Sequence, residues 1–420
     1  MLPLELIRKD PERVRRAAAL KKEDAPIDEI LDLDRQWRGH QNAAETIKAE
    51  QNRLSKEFAK TRDEQLKEKL RDMAERAKAE LAEADAIKAR LDDRLLRVPN
   101  IFDESVPVGE SEADNVVLRE WGSKPDLGFS PRTHYDLGEA LGIMDFEHAA
   151  RVAGSRFAFL LGEGARLERA LVQFMLDVHT REHGYTEVQP PVLVNSASMT
   201  GTANLPKFGA DAFKVEGHDL WLVPTAEVPV TNFHRDEILE VERLPLKYVA
   251  YSPCFRSEAG AAGKDTRGFI RLHQFSKVEL VKVTTAETSM DEFEKLTADA
   301  EDILQRLGLH YRTLLMCTGD MGFAQYKKYD LEAWCPGLDR FLEVSSCSMF
   351  NDFQAMRANI RYRPARGAPP RFAHTINGSG LALTRTIDAI METYQRSDGT
   401  ITVPEHLRHY MGGLEVIGAR

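Results

Sequence analysis

The sequence predicts an α+β protein: an antiparallel helical hairpin at the N-terminus, then a larger domain on a largely antiparallel β-sheet flanked by helices. Three observations lead there. Between Asp28 and Pro99 the apolar residues recur in alternating steps of three and four, that stretch has no internal proline, and beyond Val98 the chain turns to prolines, glycines and short apolar runs.

The hairpin comes first. Ile30, Leu33, Trp37, His40, Ala44, Ile47, Gln51, Leu54 and Phe58 make one seam. Leu66, Leu70, Met73, Ala77, Glu80, Ala84, Ile87, Leu91, Arg94 and Val98 make a second. The polar stretch Ala59–Asp63 breaks the register between them, so each limb of ~30 residues folds back on the other and spans about 45 Å. His40, Gln51, Glu80 and Arg94 stand at core positions, where polar pairs hold register at a cost in stability. Such an arm serves either as a dimerisation spacer or as a reach toward something long. Residues 1–98 are assigned to it and 99–420 to the second domain.

In that second domain amphipathic spacing predicts helices over Ala165–His183, Met290–Leu307 and Ala382–Tyr394. Strands are expected over Glu187–Leu193, Asp219–Val223, Lys247–Glu258, Phe269–Val283, Tyr311–Met316, Asp339–Cys347 and Arg371–Asn377. They do not alternate regularly with helices, which argues against a parallel sheet.

Composition narrows the function. A net charge of −10 excludes coating nucleic acid by bulk positive charge and leaves room only for a local basic surface. The four cysteines lie far apart without CxxC spacing, so neither a disulfide framework nor a zinc ribbon is expected. The start, MLPLELIRKD, lacks an apolar run of signal length, and no segment approaches a membrane span; a cytoplasmic protein is expected. Gly260-Ala-Ala-Gly263-Lys264-Asp265 has neither the spacing nor the hydroxyl of a Walker loop. Gly162-Glu-Gly164 and Gly378-Ser-Gly380 lack the third glycine of a dinucleotide fingerprint. Any bound phosphate must therefore be held by arginines.

The stretch CFRSEAGAAGKDTRGFIRLHQF, residues 254–275, supplies them. Strand alternation over Phe269–Val281 puts Ile270, Leu272, Gln274, Ser276, Val278 and Leu280 on one face and Phe269, Arg271, His273, Phe275, Lys277, Glu279 and Val281 on the other. The preceding strand sends Cys254, Arg256 and Glu258 to one side. A guanidinium fixed on a strand suits a planar anion, so Arg256 is placed to bridge a carboxylate and a phosphate oxygen as they react. Phe275 offers a flat face to a purine and Glu258 an acceptor for its exocyclic amine. Taken singly, Phe275 also reads as core, and Arg256, Arg271 and Glu279 as ion-pair partners.

In order along the chain stand Thr225-Ala226-Glu227, FRSEAGAAGKDTRG with HQFSKVE after it, Glu343-Val344-Ser345-Ser346-Cys347-Ser348 and HTINGSGLALTRTIDAIMETYQ. With the N-terminal hairpin, they resemble the seryl-tRNA synthetases of class II over essentially the whole length. The resemblance implies a class II catalytic domain with motif 1 at about 184–195, motif 2 at about 250–281 and motif 3 at about 374–395. It implies adenylation of L-serine by ATP with Mg²⁺, then transfer to the 3′ end of tRNA(Ser), with tRNA(Sec) served as well. On that pattern Thr225, Ala226, Glu227, Glu279, Asn377 and Ser379 receive serine. ATP falls to Arg256, Ser257, Glu258, Leu272, Phe275, Glu343, Val344, Ser345, Ser346 and Arg385; Arg256 and Arg385 are the catalytic pair, and Glu343 and Ser346 hold the metal. Lys264, Arg267 and Arg271 look toward the tRNA acceptor end, while Lys48, Arg53, Lys56, Lys60, Arg62, Lys67, Arg71 and Lys78 line the arm. Motif 1 implies a homodimer, and nothing implies a membrane.

Met349 stands where that family often has Asn, Met356 where Arg is usual and Thr384 where Gly is frequent. Replacing an arginine by a soft apolar chain removes a planar donor. Two other functions fit part of the pattern: a ligase charging a carrier protein or small molecule, which has no use for the arm, and a non-catalytic coiled-coil protein, which has no use for the charged motifs.

Overall fold

The computed structural model describes residues 1–258 and 268–418. They form two compact units, Met1–Ile101 and Phe102–Arg420.

The first unit is helical. α1 (Leu4–Lys9) and α2 (Pro11–Leu20) precede the long pair α3 (Ile27–Thr61) and α4 (Glu64–Leu95). Neither short helix shows in the seam pattern. Asp10 caps α2 by accepting from Arg13 N–H at 3.1 Å, and Pro11 opens that helix where its missing N–H costs nothing. Arg8 of α1 and Arg38 share Asp34, whose side chain is 1 % exposed.

The seam of α3 and α4 is built as the spacing predicts. Ile30, Leu33, Ala44 and Leu54 bury against Met73, Ala77, Ala84, Ile87 and Leu91. The polar seam positions do pair: His40 Nδ1 lies 2.7 Å from Glu80 Oε2, and Gln51 Nε2 donates to Leu70 O at 3.2 Å. Arg94 reaches instead across to Glu29 at 2.8 Å. The reversal is tighter than the Ala59–Asp63 break implies, because α3 runs on to Thr61. Only Arg62, left-handed at φ +49°, and Asp63, which caps α4 through Gln65 N–H, make the turn.

The second unit centres on an eight-stranded sheet. In chain order its strands are β1 (Val116–Trp121), β2 (Thr186–Glu187), β3 (Leu246–Phe255), β4 (Gln274–Thr284), β5 (Tyr311–Leu315), β6 (Lys327–Cys335), β7 (Arg340–Asn351) and β8 (His374–Ala382). Their order across the sheet is β1-β5-β6-β7-β8-β4-β3-β2, antiparallel except for the β2–β3 edge. Helices α5 (Gly162–Arg181), α6 (Ser289–Arg306) and α7 (Leu383–Thr393) share one apolar core with the sheet, including Leu171, Phe174, Phe293, Leu296, Ile303, Ile387, Val278 and Leu280. Gly378 faces that side, since a Cβ there would meet Leu296 at 2.5 Å. Asn377 and Ser379, one residue to either side, face the other.

Five expected strands are altered, the first being Lys247–Glu258, which stops at Phe255. Gly268 at φ +81° and the Phe269–His273 stretch form a turn, so β4 begins at Gln274. The Arg371–Asn377 run is divided: Arg371–Phe372 joins a small sheet, and β8 begins at His374. Glu187–Leu193 likewise splits between β2 and the separate Leu193–Val194 pairing, and only Trp221–Leu222 of Asp219–Val223 is a strand. β1 and β6 went unread: β1 is exposed at every position, and β6 carries Lys327, Lys328, Asp330 and Glu332 in its run.

Candidate active site

The open face of β3, β4, β7 and β8 floors a cavity of about 260 Å³. It has an acidic end and a basic end.

At the acidic end, Glu227 opens the short helix Glu227–Thr231, and its N–H donates to Thr225 Oγ1 at 3.2 Å. Thr225 in turn donates to Glu279 Oε2 at 3.0 Å, and Lys277 Nζ is paired to the same oxygen. Glu279 Oε1 makes no hydrogen bond among the described residues. Gln354 donates to Glu227 Oε1 at 2.7 Å and is itself held by Thr375. Two carboxylates thus face one ammonium in a buried setting. Burial first, and the Glu279 charge second, push the Glu227 carboxyl up to about 7; Asn377 eases it although its buried Nδ2 stays short of a full hydrogen bond. With Ser379 completing the wall, the pocket suits a cation that also carries a hydroxyl.

At the basic end, Arg256 follows directly on β3. Its N–H donates to His273 O at 3.0 Å, extending the ladder by one residue. The guanidinium lies 5.2 Å from the Phe275 ring centre, with Nε 3.4 Å from Pro224 O. Arg385, near the start of α7, donates to Glu343 O at 2.8 Å and to Ile270 O at 3.2 Å, and stands 3.4 Å from the Glu343 carboxylate. Burial alone would raise that carboxyl, but Arg385, Lys328 and Arg256 outweigh it and keep Glu343 below the usual carboxylate range. Glu343 and Ser346 line the cavity together and offer hard oxygen ligands. Arg271 donates to Glu258 at 3.1 Å, drawing both to the rim.

The cavity therefore gathers Thr225, Glu227, Arg256, Glu258, Arg271, Leu272, Phe275, Glu279, Glu343, Val344, Ser346, Asn377, Ser379 and Arg385. Three sequence-derived residues lie beside it. Ala226 is fully buried, Ser257 bonds the 210–211 backbone through Oγ and N–H, and Ser345 donates to Ser379 O at 2.6 Å. Lys264 and Arg267 lie outside the described residues. Gln325, Ser348, Phe350 and Gln354 were not singled out from the sequence; Gln354 meets Glu227 across 127 residues, which no local spacing announces. Of the unusual residues, Met349 is core and Thr384 lines the cavity; Met356 adjoins Arg357, a residue the family keeps, which is stacked on Phe353 and pushed by burial down to about 9.

Behind Arg385, the same helix carries Asp388 and Glu392 against His134, all three buried. His134 Nδ1 lies 2.8 Å from Glu392 Oε1, its Nε2 accepts from Phe269 N–H at 3.3 Å, and Asp388 stands 3.6 Å away with neither oxygen hydrogen-bonded among the described residues. Burial pushes Asp388 up to about 7. An unfolded aspartate loses its proton near ~3.9, so the folded chain binds more protons between about pH 4 and 7 and loses stability as pH rises through that window. His134, raised by Asp388 and Glu392 against the effect of burial, adds a loss in the same direction. Asp388→Asn is expected to flatten the slope, gaining on the order of 4 kcal/mol at about pH 8, about 1–2 kcal/mol at about pH 5 and little at about pH 4. Melting temperatures across that range check it, and an unchanged slope would assign the pH dependence elsewhere.

Comparison with known proteins agrees with this architecture. The family "Seryl-tRNA synthetase N-terminal domain" matches residues 1–102, and "tRNA synthetase class II core domain (G, H, P, S and T)" matches 212–394. A Serine--tRNA ligase of Pelotomaculum thermopropionicum is 52 % identical over 423 residues, covering 100 % of both chains. The seryl-tRNA synthetase of Pyrococcus horikoshii, solved with ATP, superposes with a TM-score of 0.94 at 40 % identity, covering 99 % of each chain. The cytoplasmic Serine-tRNA ligase of Naegleria fowleri, solved with AMP, gives 0.89 at 33 % identity, covering 99 % of this chain and 98 % of that one.

Proposed function

The chain belongs to the seryl-tRNA synthetase family of class II aminoacyl-tRNA synthetases, and on that premise we propose how its pocket handles each substrate. L-Serine and ATP react to give seryl-adenylate and pyrophosphate, and the seryl group then passes to the 3′ end of tRNA(Ser), with tRNA(Sec) a second acceptor. The observation that carries this reading is the division of the cavity, with Glu227 and Glu279 at one end and Arg256 and Arg385 at the other. The Pyrococcus horikoshii relative was solved with ATP, which supports a nucleotide substrate, and the arginines make the basic end its side.

Glu227 takes the serine ammonium, and Glu279 Oε1, left open by the bonds on Oε2, accepts from the serine hydroxyl. Asn377 and Ser379 close the pocket, and the Thr225-Ala226 backbone sets its lip. The serine carboxylate then attacks the α-phosphorus in line; the bond to the bridging oxygen breaks and pyrophosphate leaves. Arg256 bridges the carboxylate and the α-phosphate, while Arg385 clamps the γ-phosphate. Phe275 stacks on adenine, with Glu258 and the Leu272 backbone on the purine edge and Ser257, Val344 and Ser345 shaping the walls. In the second step the terminal ribose hydroxyl attacks the acyl carbon and AMP leaves.

Glu343, ionised, and the Ser346 hydroxyl fit Mg²⁺, which when bound neutralises phosphate charge. Among the described residues no three His, Cys, Asp or Glu side chains cluster as a metal cage, which suits an ion completed by phosphate and water. Phe275→Ala is expected to weaken ATP by about 1–3 kcal/mol, a rise of roughly 5- to 150-fold in its KM. An unchanged KM for ATP would remove the stacking role.

The acceptor end of tRNA meets Lys264, Arg267 and Arg271 in this proposal, and its body meets the arm. Lys48, Arg53, Lys56, Lys60, Arg62, Lys67, Arg71 and Lys78 are all exposed there, three of them balanced by Glu50, Glu64 and Glu75. They read backbone shape, not bases. A homodimer fits the exposed apolar residues Val152, Phe159, Leu161 and Leu193, which a second copy would cover. Among the described residues no helix is long and apolar enough to cross a membrane, and all four cysteines are free and buried, as suits the reducing cytoplasm.

The test is ATP–pyrophosphate exchange with each amino acid, followed by charging of purified tRNAs. Serine is expected to drive exchange and alanine to fail by ~10⁴-fold, because alanine leaves the Glu279 acceptor unpaired. Equal exchange with alanine would overturn the hydroxyl assignment.

A further inference from the structure

The β8–β4 ladder changes phase at one residue. Ser379 pairs with Glu279, but the next pair is Leu381 with Val278, so Gly380 is an extra residue, a β-bulge. Without it Ser379 and Leu381 would share a face. With it Ser379 lines the cavity, Leu381 enters the core, and Ala382 returns to the cavity wall.

The bulge leaves the Gly380 carbonyl outside the β4 ladder, and α5 supplies its partner: His179 Nε2 donates to Gly380 O at 3.3 Å. The fit is close, since a Cβ on Gly380 would lie 2.7 Å from that nitrogen. A carbonyl only accepts, so Nε2 carries the proton. His179 is fully buried, and burial pushes it down to about 3, so the ring is neutral and its Nδ1 is an acceptor. His183 Nδ1, 3.0 Å away, must donate to it. His183 Nε2 lies 3.0 Å from Asp302 Oδ2, a carboxylate that Arg306 also holds at 2.7 Å. His183 therefore links His179 to Asp302 through its two ring nitrogens. Asp299, 3.8 Å from His183 Nδ1, adds a second negative group, while Arg306 is shared with Glu182.

We propose that His179, oriented by His183 and Asp302, is a positioning residue for the amino-acid pocket: it fastens the bulge that directly follows Ser379 and so holds the end of the wall Ser379 forms. The relay Asp302–His183–His179–Gly380 touches neither serine nor ATP. The proposal rests on Ser379 walling the serine pocket, and its test separates the two ideas.

Exchange kinetics in the full-length protein supply that test. His179→Leu keeps the bulk and removes the donor; serine KM is expected to rise ~10-fold with ATP KM within about twofold, and His179→Gln, which can still donate, to recover most of the loss. Ser379→Ala is run alongside. If Ser379→Ala raises serine KM and His179→Leu does not, the positioning role is overturned while the pocket stands. If neither moves it, the pocket assignment itself falls. An equal rise in both KM values, or a lowered melting temperature with unchanged KM, would make His179 merely structural. Should His179→Leu fail to fold, His183→Gln, at a partly exposed site, is expected to raise serine KM several-fold by the same route, and an unchanged value would equally overturn the role.

Discussion

Arg256→Ala is expected to lower serine-dependent ATP–pyrophosphate exchange by ~10³-fold or more while leaving the fold intact. The reason is differential: the guanidinium meets two anions that draw together only as they react, so its hydrogen bonds strengthen toward the transition state. Its place supports this. Arg256 continues the β3 ladder by one backbone bond, is exposed at the cavity rim and stacks beside Phe275, so its removal costs little packing. Arg256→Lys keeps the charge without the planar fork and is expected to recover only part of the rate. Isotope exchange measured at saturating serine and ATP decides it; near-normal exchange in the alanine variant would refute the role.

The second large effect concerns the arm. Excising residues 49–72 and joining Lys48 to Met73 by a short glycine-serine turn keeps the seam from Ile30 to Ala44 against Ala77 to Leu91, together with α1 and α2. Arg53, Lys56, Lys60, Arg62, Lys67 and Arg71 are lost. Serine-dependent exchange is expected to stay within about twofold, while tRNA charging falls by ~10²–10³-fold through lost phosphate contacts, with a shallower dependence on salt. Parallel loss of both activities would show that the arm supports the adenylation site instead of the tRNA.

The long helices were legible because their seam repeats over many turns, and His40 with Glu80 was visible as a polar interruption of it. The acidic strands were not. β6 alternates buried apolar residues with Lys328, Asp330 and Glu332, of which Asp330 is itself buried and paired to Lys328, so polarity there does not mark a solvent face. The pocket residues came from motif order; chain spacing alone left Phe275 and Glu279 as ordinary core or ion-pair members. What no one-dimensional pattern carried were contacts closed by topology: Gln354 on Glu227, Lys277 competing with Thr225 for one Glu279 oxygen, and His134 beneath Asp388. The alternation drawn over Phe269–Val281 held from Gln274 onward. It failed before that because Gly268 turns the chain and Arg271 is tied to Glu258.

Finally, the reversal between the long helices spans only Arg62 and Asp63, which leaves no slack at the tip. An insertion in a single limb would slide every partner beyond it, separating His40 from Glu80. Reach can therefore evolve only by matched insertions in both limbs, about 10 Å for each seven-residue pair, a ruler that makes arm length a discrete inherited character.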